Sequence, residues 1–512
     1  MSMLMLSVSG CRGVVGDTLT PELAARFAGC FGAVLRASTS TTPTVILARD
    51  GRRGGEAIHA AAISGLLGSG CNVVDVGIAM TPTAAVMTDA VASERKGSLV
   101  AGMVITASHN PQQWNGLKCL LREPEGLHGA GACAPPATLA NKIIELFRAG
   151  RPGVVDWSKL GGLTRSDDAG DTHIERVQEA LAESGLASMP SKLGEGLKVA
   201  VDCVNASSSA TAPRFLRSLG CEVVALNTNL EGANAGLFPH PPEPTFENLS
   251  GAGGLCDTVR AQRCDVGFAL DPDADRLALI DEQGRYIGEE YTLALSAWAI
   301  LAGASVNRHA SESAVLVTNL STSRMLNDVA ATFGARVLRT PVGEANVVEV
   351  MKRERAIAGG EGNGGTIWPR SCYVRDSLSG MALTLWLLKN AHTTKLGKAL
   401  PALGAGRKGG GHALSAVAAC VPSYCIEKRK VDLARKEDAT VAVEKIAKHF
   451  GANEIDLSDG AWVNFTKGPH AGKAWLHVRA SNTEPIMRLI AEAPTKSDAV
   501  GILSEASDAI AR

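Results

Sequence analysis

A threefold internal repeat is the feature that most constrains how this chain folds. In each copy an apolar run ends in Asp or Asn, a stretch with helical spacing follows, and a glycine separates it from the next apolar run. A glycine in that place is typical of a helix C-terminus, and strands that are joined through a helix run parallel. The repeat therefore predicts three α/β units with parallel strands. The copies start at Val45, Lys198 and Val315 and have their glycines at Gly70, Gly220 and Gly334.

An unusual polar loop follows the third apolar run of every copy. These third runs are predicted to be strands over Val100–Ile105, Val266–Leu270 and residues 356–358. The loops after them read Thr-Ala-Ser-His-Asn-Pro, Asp-Pro-Asp-Ala-Asp-Arg and Gly-Gly-Glu-Gly-Asn-Gly-Gly. Because open α/β sheets bind ligands at the carboxyl ends of their strands, we expect the three loops to converge on one cleft.

The last part of the chain has a different pattern. Residues 391–425 are rich in glycine and irregular, which favours a loop or linker. After them the sequence predicts a helix over residues 438–450, short strands around Trp462 and over residues 475–478 and 486–491, and a final helix from Lys496. This pattern is typical of a small α+β domain.

The predicted fold class is therefore α/β, with three similar mixed α/β-sheet domains plus a C-terminal α+β domain around one central cleft. A length of 512 residues is sufficient for this number of domains. The predicted boundaries are 1–157, 158–284 and 285–400 for the α/β domains, 401–424 for a Gly-rich linker and 425–512 for the α+β domain.

Composition narrows the classes of partner. Lys and Arg number 51 and Asp and Glu 52, so neither a nucleic-acid surface nor a membrane surface is indicated. The first residues lack the features of a signal peptide, and no stretch is long enough to span a membrane. The cysteines form no C-x-x-C pair, and Cys71, Cys119 and Cys221 adjoin apolar runs, as core residues do. We expect a cytoplasmic protein with a small-molecule ligand.

Three alternating carboxylates, Asp271, Asp273 and Asp275, indicate a metal site. Alternate carboxylates on a loop can converge on one hard cation, although a solvated acidic turn has the same composition. The spacing does not fit an EF-hand, because the later glycine and glutamate are missing. Mg²⁺ with open coordination positions could bind a phosphoryl oxygen.

Ser108 is the candidate nucleophile, since it follows a buried strand and precedes Pro111 on a short turn. A hydrolase with His109 as the base is one alternative, but adjacent side chains rarely reach each other and no G-x-S-x-G motif is present. A serine beside a metal suits phosphoryl transfer better. Lys118 could transfer protons if neighbouring cations lower its pKa. Arg12, between two small residues, could face an anion or lie in a plain turn.

Two further loops could bind a sugar phosphate. Glu361 and Asn363 are flanked by glycines and offer acceptors for hydroxyl groups, although a Gly-rich loop is also typical of a plain turn. A second set combines a guanidinium, hydroxyls and turn amides, which together suit a phosphate dianion. Its members are Arg479, Ser481, Asn482 and Thr483.

The four loops, in this order, resemble those of the α-D-phosphohexomutase family, which includes phosphoglucomutase, phosphomannomutase and phosphoglucosamine mutase. The matching stretches are TASHNP with WNGLK after it, DPDADR, GEGNGG and RASNTEP, supported by GCRG, GLFPHPPEP and TPVG. Trp114, Asn363 and Ser377 depart from the usual Tyr, Ser and Gly, and the linker is longer than usual. The resemblance covers nearly the whole chain and implies a heart-shaped molecule of four domains.

The resemblance also implies a role for each loop. Ser108 would be the phosphorylated serine, and Ser108 with the three aspartates would hold one Mg²⁺ per chain. The last loop would bind the substrate phosphate, and Glu361 and Asn363 the sugar hydroxyls. The remaining candidates are Lys118, Arg12, His109 and Arg276 as catalytic residues and Gly343 and Arg488 as substrate-binding residues.

The expected activity is that of a phosphohexomutase, which moves phosphate between O1 and O6 of a hexose through a phosphoserine and a hexose 1,6-bisphosphate. The bisphosphate would also be an activator, and glucosamine phosphate is slightly favoured as substrate. The alternatives are a phosphomannomutase/phosphoglucomutase of broad specificity, a metal-dependent sugar phosphatase and a non-catalytic sugar-phosphate-binding protein. Either a monomer or a homodimer is expected.

Overall fold

In a computed structural model the described residues are 4–122, 131–307, 314–401, 411–433, 435, 437–480 and 486–511. They form three mixed α/β sheets and a C-terminal antiparallel sheet, which confirms the predicted fold class. Among these residues, no helix combines the length and the apolar character that crossing a membrane requires.

The first sheet has eight strands in the order β1-β2-β6-β5-β3-β4-β8, with β7 beside β6. Strands β3, β4, β5 and β8 are parallel to one another, whereas β6 returns antiparallel to β5. The strands are β1 (Met5–Ser7), β2 (Gly10–Val14), β3 (Thr44–Arg49), β4 (Asn72–Ile78), β5 (Val100–Ile105), β6 (Trp114–Arg122), β7 (Ala132–Cys133) and β8 (Leu163–Arg165), and the helices are α1 (Pro21–Ala37), α2 (Gly55–Gly68), α3 (Thr81–Glu94) and α4 (Ala137–Arg148).

Both faces of this sheet are buried, which explains the continuous apolar runs of its central strands. Val45 and Leu47 of β3 pack with Phe27 and Phe31 of α1 in one core. Ile46 and its alternate neighbours pack with α3 in a second core on the opposite face. The predicted boundary after residue 157 lies before the last strand of the sheet, because β8 pairs with β4.

The second and third sheets repeat the central order of the first, as β10-β9-β11-β12 and β14-β13-β15-β16. The second unit contains α5 (Ala169–Glu183), β9 (Lys198–Asp202), α6 (Thr211–Ser218), β10 (Glu222–Leu226), α7 (Phe246–Leu249), α8 (Leu255–Gln262), β11 (Val266–Leu270) and β12 (Leu277–Ile280). The third contains α9 (Glu289–Asn307), β13 (Val315–Asn319), α10 (Met325–Thr332), β14 (Arg336–Thr340), α11 (Glu344–Glu354), β15 (Ala358–Glu361), β16 (Gly365–Ile367) and α12 (Ser377–Asn390).

The predicted repeat of parallel strands is confirmed in all three sheets. The three repeat glycines have left-handed φ values of 81°, 92° and 69°, as a helix C-terminus requires. Each unit also has a fourth strand that the repeat did not predict, and this strand returns antiparallel to the third. Short loops join these two strands, so no helix marks the connection in the sequence.

Strand β15 begins two residues later than predicted and includes the first three residues of the Gly-rich stretch, Gly359, Gly360 and Glu361. A Cβ at Gly359 would lie 2.7 Å from the Val317 carbonyl oxygen, and one at Gly360 would lie 2.0 Å from the Gly365 carbonyl oxygen. These glycines therefore allow close backbone approach within the sheet, a reason for glycine that composition alone does not distinguish from a loop.

The region predicted as a Gly-rich linker is packed where the structure describes it. Helix α13 (Leu414–Ala418) buries Leu414 and Val417 in the core that contains α9 and α12. That core is continuous through the second and third units, and it includes Phe268 and Trp298. The reason for the departure is that apolar residues follow the glycines, and they cover an otherwise open part of this core.

The C-terminal unit has five antiparallel strands in the order β17-β21-β20-β19-β18. Its elements are β17 (Cys425–Asp432), α14 (Asp438–His449), β18 (Glu454–Asp456), β19 (Ala461–Asn464), β20 (Trp475–Ala480), β21 (Ile486–Ala493) and α15 (Lys496–Ala511). The two helices and one face of the sheet form a separate core. Short 3₁₀ helices occur at Trp157–Lys159, Pro190–Lys192 and Ala391–Thr393.

Candidate active site

The three polar loops occupy equivalent places in their sheets. Residues 106–113 join β5 to β6, residues 271–276 join β11 to β12, and residues 362–364 join β15 to β16. Each loop thus lies at the carboxyl end of the third strand, where parallel sheets bind their ligands. Hydrogen bonds and ion pairs between the loops bring them into one site, as described below.

Ser108 is buried, with 4% of its surface exposed, and has a left-handed φ of 49°. Its Oγ donates to Asp271 Oδ2 at 2.7 Å and lies 3.3 Å from His109 Nδ1. A left-handed non-glycine residue costs about 1–3 kcal/mol and persists only where neighbours fix it. The serine is therefore held against residues 271–276, named the metal loop here because its aspartates could hold a metal ion, in a conformation that its surroundings impose.

Asp50 and Arg52, both buried, impose that conformation. Arg52 Nη2 donates to the Ser108 carbonyl oxygen at 2.6 Å, and its Nη1 donates to the Trp114 carbonyl oxygen at 2.7 Å. Asp50 Oδ2 accepts from Arg52 Nε at 2.8 Å and from Thr106 Oγ1 at 2.7 Å. Since the Ser108 amide donates to Thr106 Oγ1 at 2.8 Å, both sides of the serine are fixed.

The three aspartates are completely or almost completely buried and face each other. One carboxylate oxygen from each lies within 4.8 Å of the others, and together they could hold a metal ion. Thr81 Oγ1 donates to Asp273 Oδ2, and Lys118 Nζ donates to Asp275 Oδ2. The other oxygens, Asp273 Oδ1 and Asp275 Oδ1, have no hydrogen-bond partner among the described residues. Closely spaced carboxylate oxygens, some of them without a hydrogen-bond donor, are the kind of ligand that a hard cation prefers.

The charges at this site show the same need for a cation. Burial, with Asp273 and Asp275 nearby, raises the pKa of Asp271 well above its usual value. Burial also opposes ionisation of Asp275, but Arg375 and Lys118 outweigh it and hold the pKa of Asp275 below its usual value. The raised pKa of Asp271 shows that burial and the neighbouring carboxylates oppose its ionisation, and a bound divalent ion would remove that opposition.

Lys118 does not have the lowered pKa that its predicted part in proton transfer requires. Burial lowers its pKa, but the carboxylates of Asp275, Glu344 and Asp273 raise it by more, so the pKa of Lys118 is raised. Its Nζ lies 3.0 Å from Asp275 Oδ2 and 3.6 Å from Asp273 Oδ2. The amino group is a cation here, because the carboxylates around it outweigh burial and the neighbouring Arg375.

The other predicted catalytic residues lie around Ser108. Arg12 Nη1 donates to Asn110 Oδ1 at 3.5 Å, and burial lowers the pKa of Arg12. Burial, with Arg276 nearby, lowers the pKa of His109 to about 4, so its ring is neutral at pH 7. Arg276 Nη1 pairs with Glu243 Oε1 at 3.0 Å, which joins the metal loop to the GLFPHPPEP stretch.

Glu361 is only 6% exposed, and both of its oxygens already have partners. Its Oε1 accepts from Asn319 Nδ2 at 2.8 Å and from the Gly343 amide at 3.3 Å. Its Oε2 lies 2.9 Å from Arg375 Nη1. A carboxylate has about four acceptor positions, so Glu361 keeps capacity for a ligand hydroxyl. Asn363 lies beside it and accepts from the same Arg375 Nη1 at 3.2 Å.

Arg479 and Arg488, two of the predicted phosphate ligands, lie on the C-terminal sheet. They lie directly opposite each other on β20 and β21. Two like charges in that arrangement repel unless an anion lies between them. Arg479 Nε lies 3.5 Å from Asp459 Oδ1, and Asp459 Oδ2 accepts from the Val342 amide at 3.1 Å, next to Gly343. Ser481, Asn482 and Thr483 lie outside the described residues.

Sequence reasoning missed the residues that position the loops, although the repeat carried a signal for some of them. Asp202 and Asn319 end the first strand of their copies and Asp50 directly follows it, and each accepts from the amide two residues ahead. Each also positions a loop, since Asp50 bonds Arg52, Asp202 lies 3.1 Å from His240 Nε2, and Asn319 bonds Glu361. The Asp or Asn at each strand end was the available signal.

Four domain families match the chain in sequence order. They are described as "Phosphoglucomutase/phosphomannomutase, alpha/beta/alpha domain I", II and III and "C-terminal domain", and they match residues 4–134, 172–284, 290–403 and 429–509 respectively.

The chain belongs to the phosphoglucomutase/phosphomannomutase family. The predicted family is thereby confirmed, and so is the enzyme class, an isomerase that acts as an intramolecular phosphotransferase. The aspartate group agrees with a metal-dependent family.

Relatives of this family match over almost their whole length. A phosphoglucomutase/phosphomannomutase from Thermococcus kodakarensis is 34% identical over 492 residues, 96% of this chain and 94% of that protein. A probable phosphoglucosamine mutase from Methanopyrus kandleri is 32% identical over 507 residues, 98% and 97% of the two chains. The crystal structure of a family protein from Burkholderia thailandensis covers 99% of this chain and 98% of its own, with 25% identity and a TM-score of 0.75.

Proposed function

We propose that this protein interconverts hexose 1-phosphate and hexose 6-phosphate through a phosphoserine at Ser108 and a hexose 1,6-bisphosphate intermediate. The observation that carries the proposal is the position of Ser108. Its Oγ donates to Asp271 Oδ2 at 2.7 Å, and Asp271 belongs to the group of three buried aspartates that could hold a metal ion. A phosphoryl group on this oxygen would lie next to the place where a cation balances charge.

Mg²⁺, one per chain, is the metal that we propose for Asp271, Asp273 and Asp275, with an oxygen of Ser108 or its phosphate as a further ligand. Oxygen ligands on a loop suit this ion. When bound, it supplies Lewis-acid stabilisation of the phosphoryl oxygens.

In the proposed transfer, phosphoserine 108 gives its phosphoryl group to the free O1 or O6 hydroxyl. An oxygen–phosphorus bond to the sugar forms, the Oγ–phosphorus bond breaks, and the hydroxyl proton passes to Ser108 Oγ. His109 is neutral and has Nδ1 3.3 Å from this oxygen, which supports a part in the proton path. Lys118 and Arg12 add positive charge. The bisphosphate then turns over, and its other phosphate returns to Ser108, so added hexose 1,6-bisphosphate would activate unphosphorylated enzyme.

The substrate would be held at two places. Glu361 and Asn363, with Gly343 beside them, would bind sugar hydroxyls, and Arg479 and Arg488 would bind the phosphate that is not transferred. The cross-strand pair of arginines supports the second assignment. Ser481, Asn482 and Thr483 are proposed as additional phosphate ligands on sequence alone.

Glucosamine phosphate is our proposed preferred substrate, with glucose and mannose phosphates also accepted. Relatives named as probable phosphoglucosamine mutase and as phosphoglucomutase/phosphomannomutase support both parts of this proposal. We further propose a cytoplasmic monomer or homodimer. Its domain division is the one given above, with the first domain extended through β8.

A panel of glucosamine, glucose and mannose 1-phosphates, each with a trace of its 1,6-bisphosphate, tests the proposal. Wild-type enzyme should form the 6-phosphates, and intact mass should show one covalent phosphate. Ser108→Ala should lose both, whereas Ser504→Ala, at an exposed position of α15, should lose neither. Release of inorganic phosphate would favour the sugar phosphatase, and ligand binding without turnover would favour a binding protein.

A further inference from the structure

Arg375 contacts more acidic side chains of the site than any of the predicted ligand or catalytic residues does. It lies between β16 and α12 and is 9% exposed. Its Nη2 donates to Asp275 Oδ2 at 2.6 Å, and its Nε donates to Glu344 Oε2 at 2.8 Å. Its Nη1 is shared by Glu361 Oε2 at 2.9 Å and Asn363 Oδ1 at 3.2 Å. One guanidinium thus joins the metal loop to the loop that we propose binds the sugar.

Gly365 makes room for this side chain. A Cβ at position 365 would lie 2.1 Å from Arg375 Cδ and 2.8 Å from its Cγ, too close for any residue with a side chain unless Arg375 moves. Gly365 is also the register partner of Glu361 in the β15–β16 pair. The glycine therefore determines that the Arg375 stem crosses the strand opposite Glu361 and that its head reaches both loops.

The contact with Asp275 has a consequence for the metal ligands. Arg375 Nη2 and Lys118 Nζ both donate to Asp275 Oδ2, whereas Oδ1 has no partner among the described residues. A carboxylate with one oxygen fixed in this way presents the other oxygen in one direction. Groups that orient metal ligands typically change metal affinity or activity by about 10- to 100-fold when removed.

We propose that Arg375, seated on Gly365, is a positioning residue that couples the metal loop to the sugar-binding loop by holding Asp275 and Glu361 at once. The inference rests on the proposed function for its substrate part, while its metal part rests on the Asp275 contact. Lysine cannot replace it, because a single amino group does not reach three acids with the fixed geometry of a guanidinium.

Three variants separate this role from a purely structural one. Arg375→Gln removes the charge, Arg375→Lys keeps it, and Gly365→Ala displaces the side chain without changing it. Two controls match them, namely Arg370→Gln, on the same segment with a half-exposed side chain, and Gly501→Ala, where a Cβ has open space. Each variant is first checked for a native circular dichroism spectrum.

Mn²⁺ binding, followed by electron paramagnetic resonance, is the readout that does not depend on turnover. We expect all three variants to bind Mn²⁺ about 10- to 100-fold more weakly than wild type, and the two controls to bind it as wild type does. In the mutase assay the three variants should raise KM for hexose 1-phosphate and lower kcat.

Wild-type Mn²⁺ affinity and KM in well-folded Arg375→Lys or Gly365→Ala would overturn the proposal. Loss of thermal stability alone, with Mn²⁺ affinity unchanged, would assign Arg375 a structural role and also overturn it. If wild-type enzyme shows no mutase activity, the proposed function fails, but the Mn²⁺ measurements still decide whether Arg375 positions Asp275.

Discussion

At the residue scale, the site depends on which oxygen of each carboxylate is already bonded. Asp273 and Asp275 each have one oxygen fixed by a donor and one without a partner among the described residues. Ser377, where the family resemblance leads us to expect glycine, adds to this order by donating to the Ala274 carbonyl oxygen at 2.7 Å. Ala274 has a left-handed φ of 55°, so that bond stabilises a strained residue of the metal loop.

A prediction at this scale concerns Arg479. Arg479→Ala should raise KM for hexose 1-phosphate while kcat changes little, because the distal phosphate is bound alike in ground and transition states. Loss of a charge-assisted hydrogen bond costs about 1.5–3 kcal/mol, which is roughly 10- to 150-fold in apparent affinity. Steady-state kinetics measure it, with Arg429→Ala on the same sheet as control. An unchanged KM would remove Arg479 from the phosphate site.

At the element scale, the end of each central strand positions a loop of the site. Asp50 after β3 and Asn319 at the end of β13 bond the amide two residues ahead and also a residue that holds the site together. The same arrangement in three sheets explains how short loops between strands can be rigid enough for phosphoryl transfer, which relies on positioning.

Arg52 tests this arrangement. Arg52→Met should leave Asp50 buried and unpaired, and breaking a buried ion pair costs about 3–5 kcal/mol of the free energy of unfolding. Mutase kcat should fall as well, since Ser108 loses the bond to its carbonyl oxygen. Urea denaturation and kinetics check both effects. Arg53→Met is the matched control, because Arg53 is exposed and its guanidinium bonds the Ala233 carbonyl oxygen. Equal stability of the two variants would contradict the prediction.

Asp89 of α3 gives a pH prediction. Burial raises its pKa to about 6 in the folded protein, despite Arg122, against 3.8 for the free side chain. The folded state therefore retains this proton to higher pH than the unfolded state does. The contribution of protonated Asp89 to the free energy of unfolding is complete below about pH 4 and is lost as pH rises through about 6. Asp89→Asn should gain stability relative to wild type over this range. Urea midpoints at several pH values measure the difference, and a constant difference would refute it.

The bounds of many strands were predictable from the sequence, for a physical reason. Strands β9, β11 and β13 match the predicted residues because they are apolar runs buried on both faces and bounded by polar residues. Strand β15 was predicted two residues too early, because its glycines allow close backbone approach within the sheet and were interpreted as part of a loop. The contacts of Arg375 were not predictable, since its partners Asp275, Glu344 and Glu361 are 100, 31 and 14 residues away in the chain and nothing in their order pairs them.

At the scale of the whole molecule, the site joins separate units. Ser108 belongs to the first sheet, the aspartates to the second, Glu361 to the third and Arg479 to the fourth. The bond from Ser108 to Asp271 crosses from the first unit to the second, and the contacts of Arg375 cross from the second to the third. A ligand that binds at this site therefore contacts several units at once and stabilises their association.

Metal binding should accordingly raise the stability of the whole chain. A ligand at 100 times its Kd stabilises the folded state by about 2.7 kcal/mol. Mg²⁺ should raise the Tm of wild type at constant ionic strength, and EDTA should reverse the shift and inhibit turnover. Asp273→Asn should lose most of the shift, and Asp167→Asn, an exposed site, should keep it. The same shift in both variants would argue against the aspartate site.

The continuous core of the second and third units affects how the chain can be divided. Trp298 of the third unit and Phe268 of the second are buried in the same core, which α12 and α13 complete. A break introduced near residue 284 would give two fragments, each with an exposed apolar face that the other normally covers. We expect such fragments to be recovered only as a reassembled pair, as in complementation assays, whereas the last unit has a core of its own.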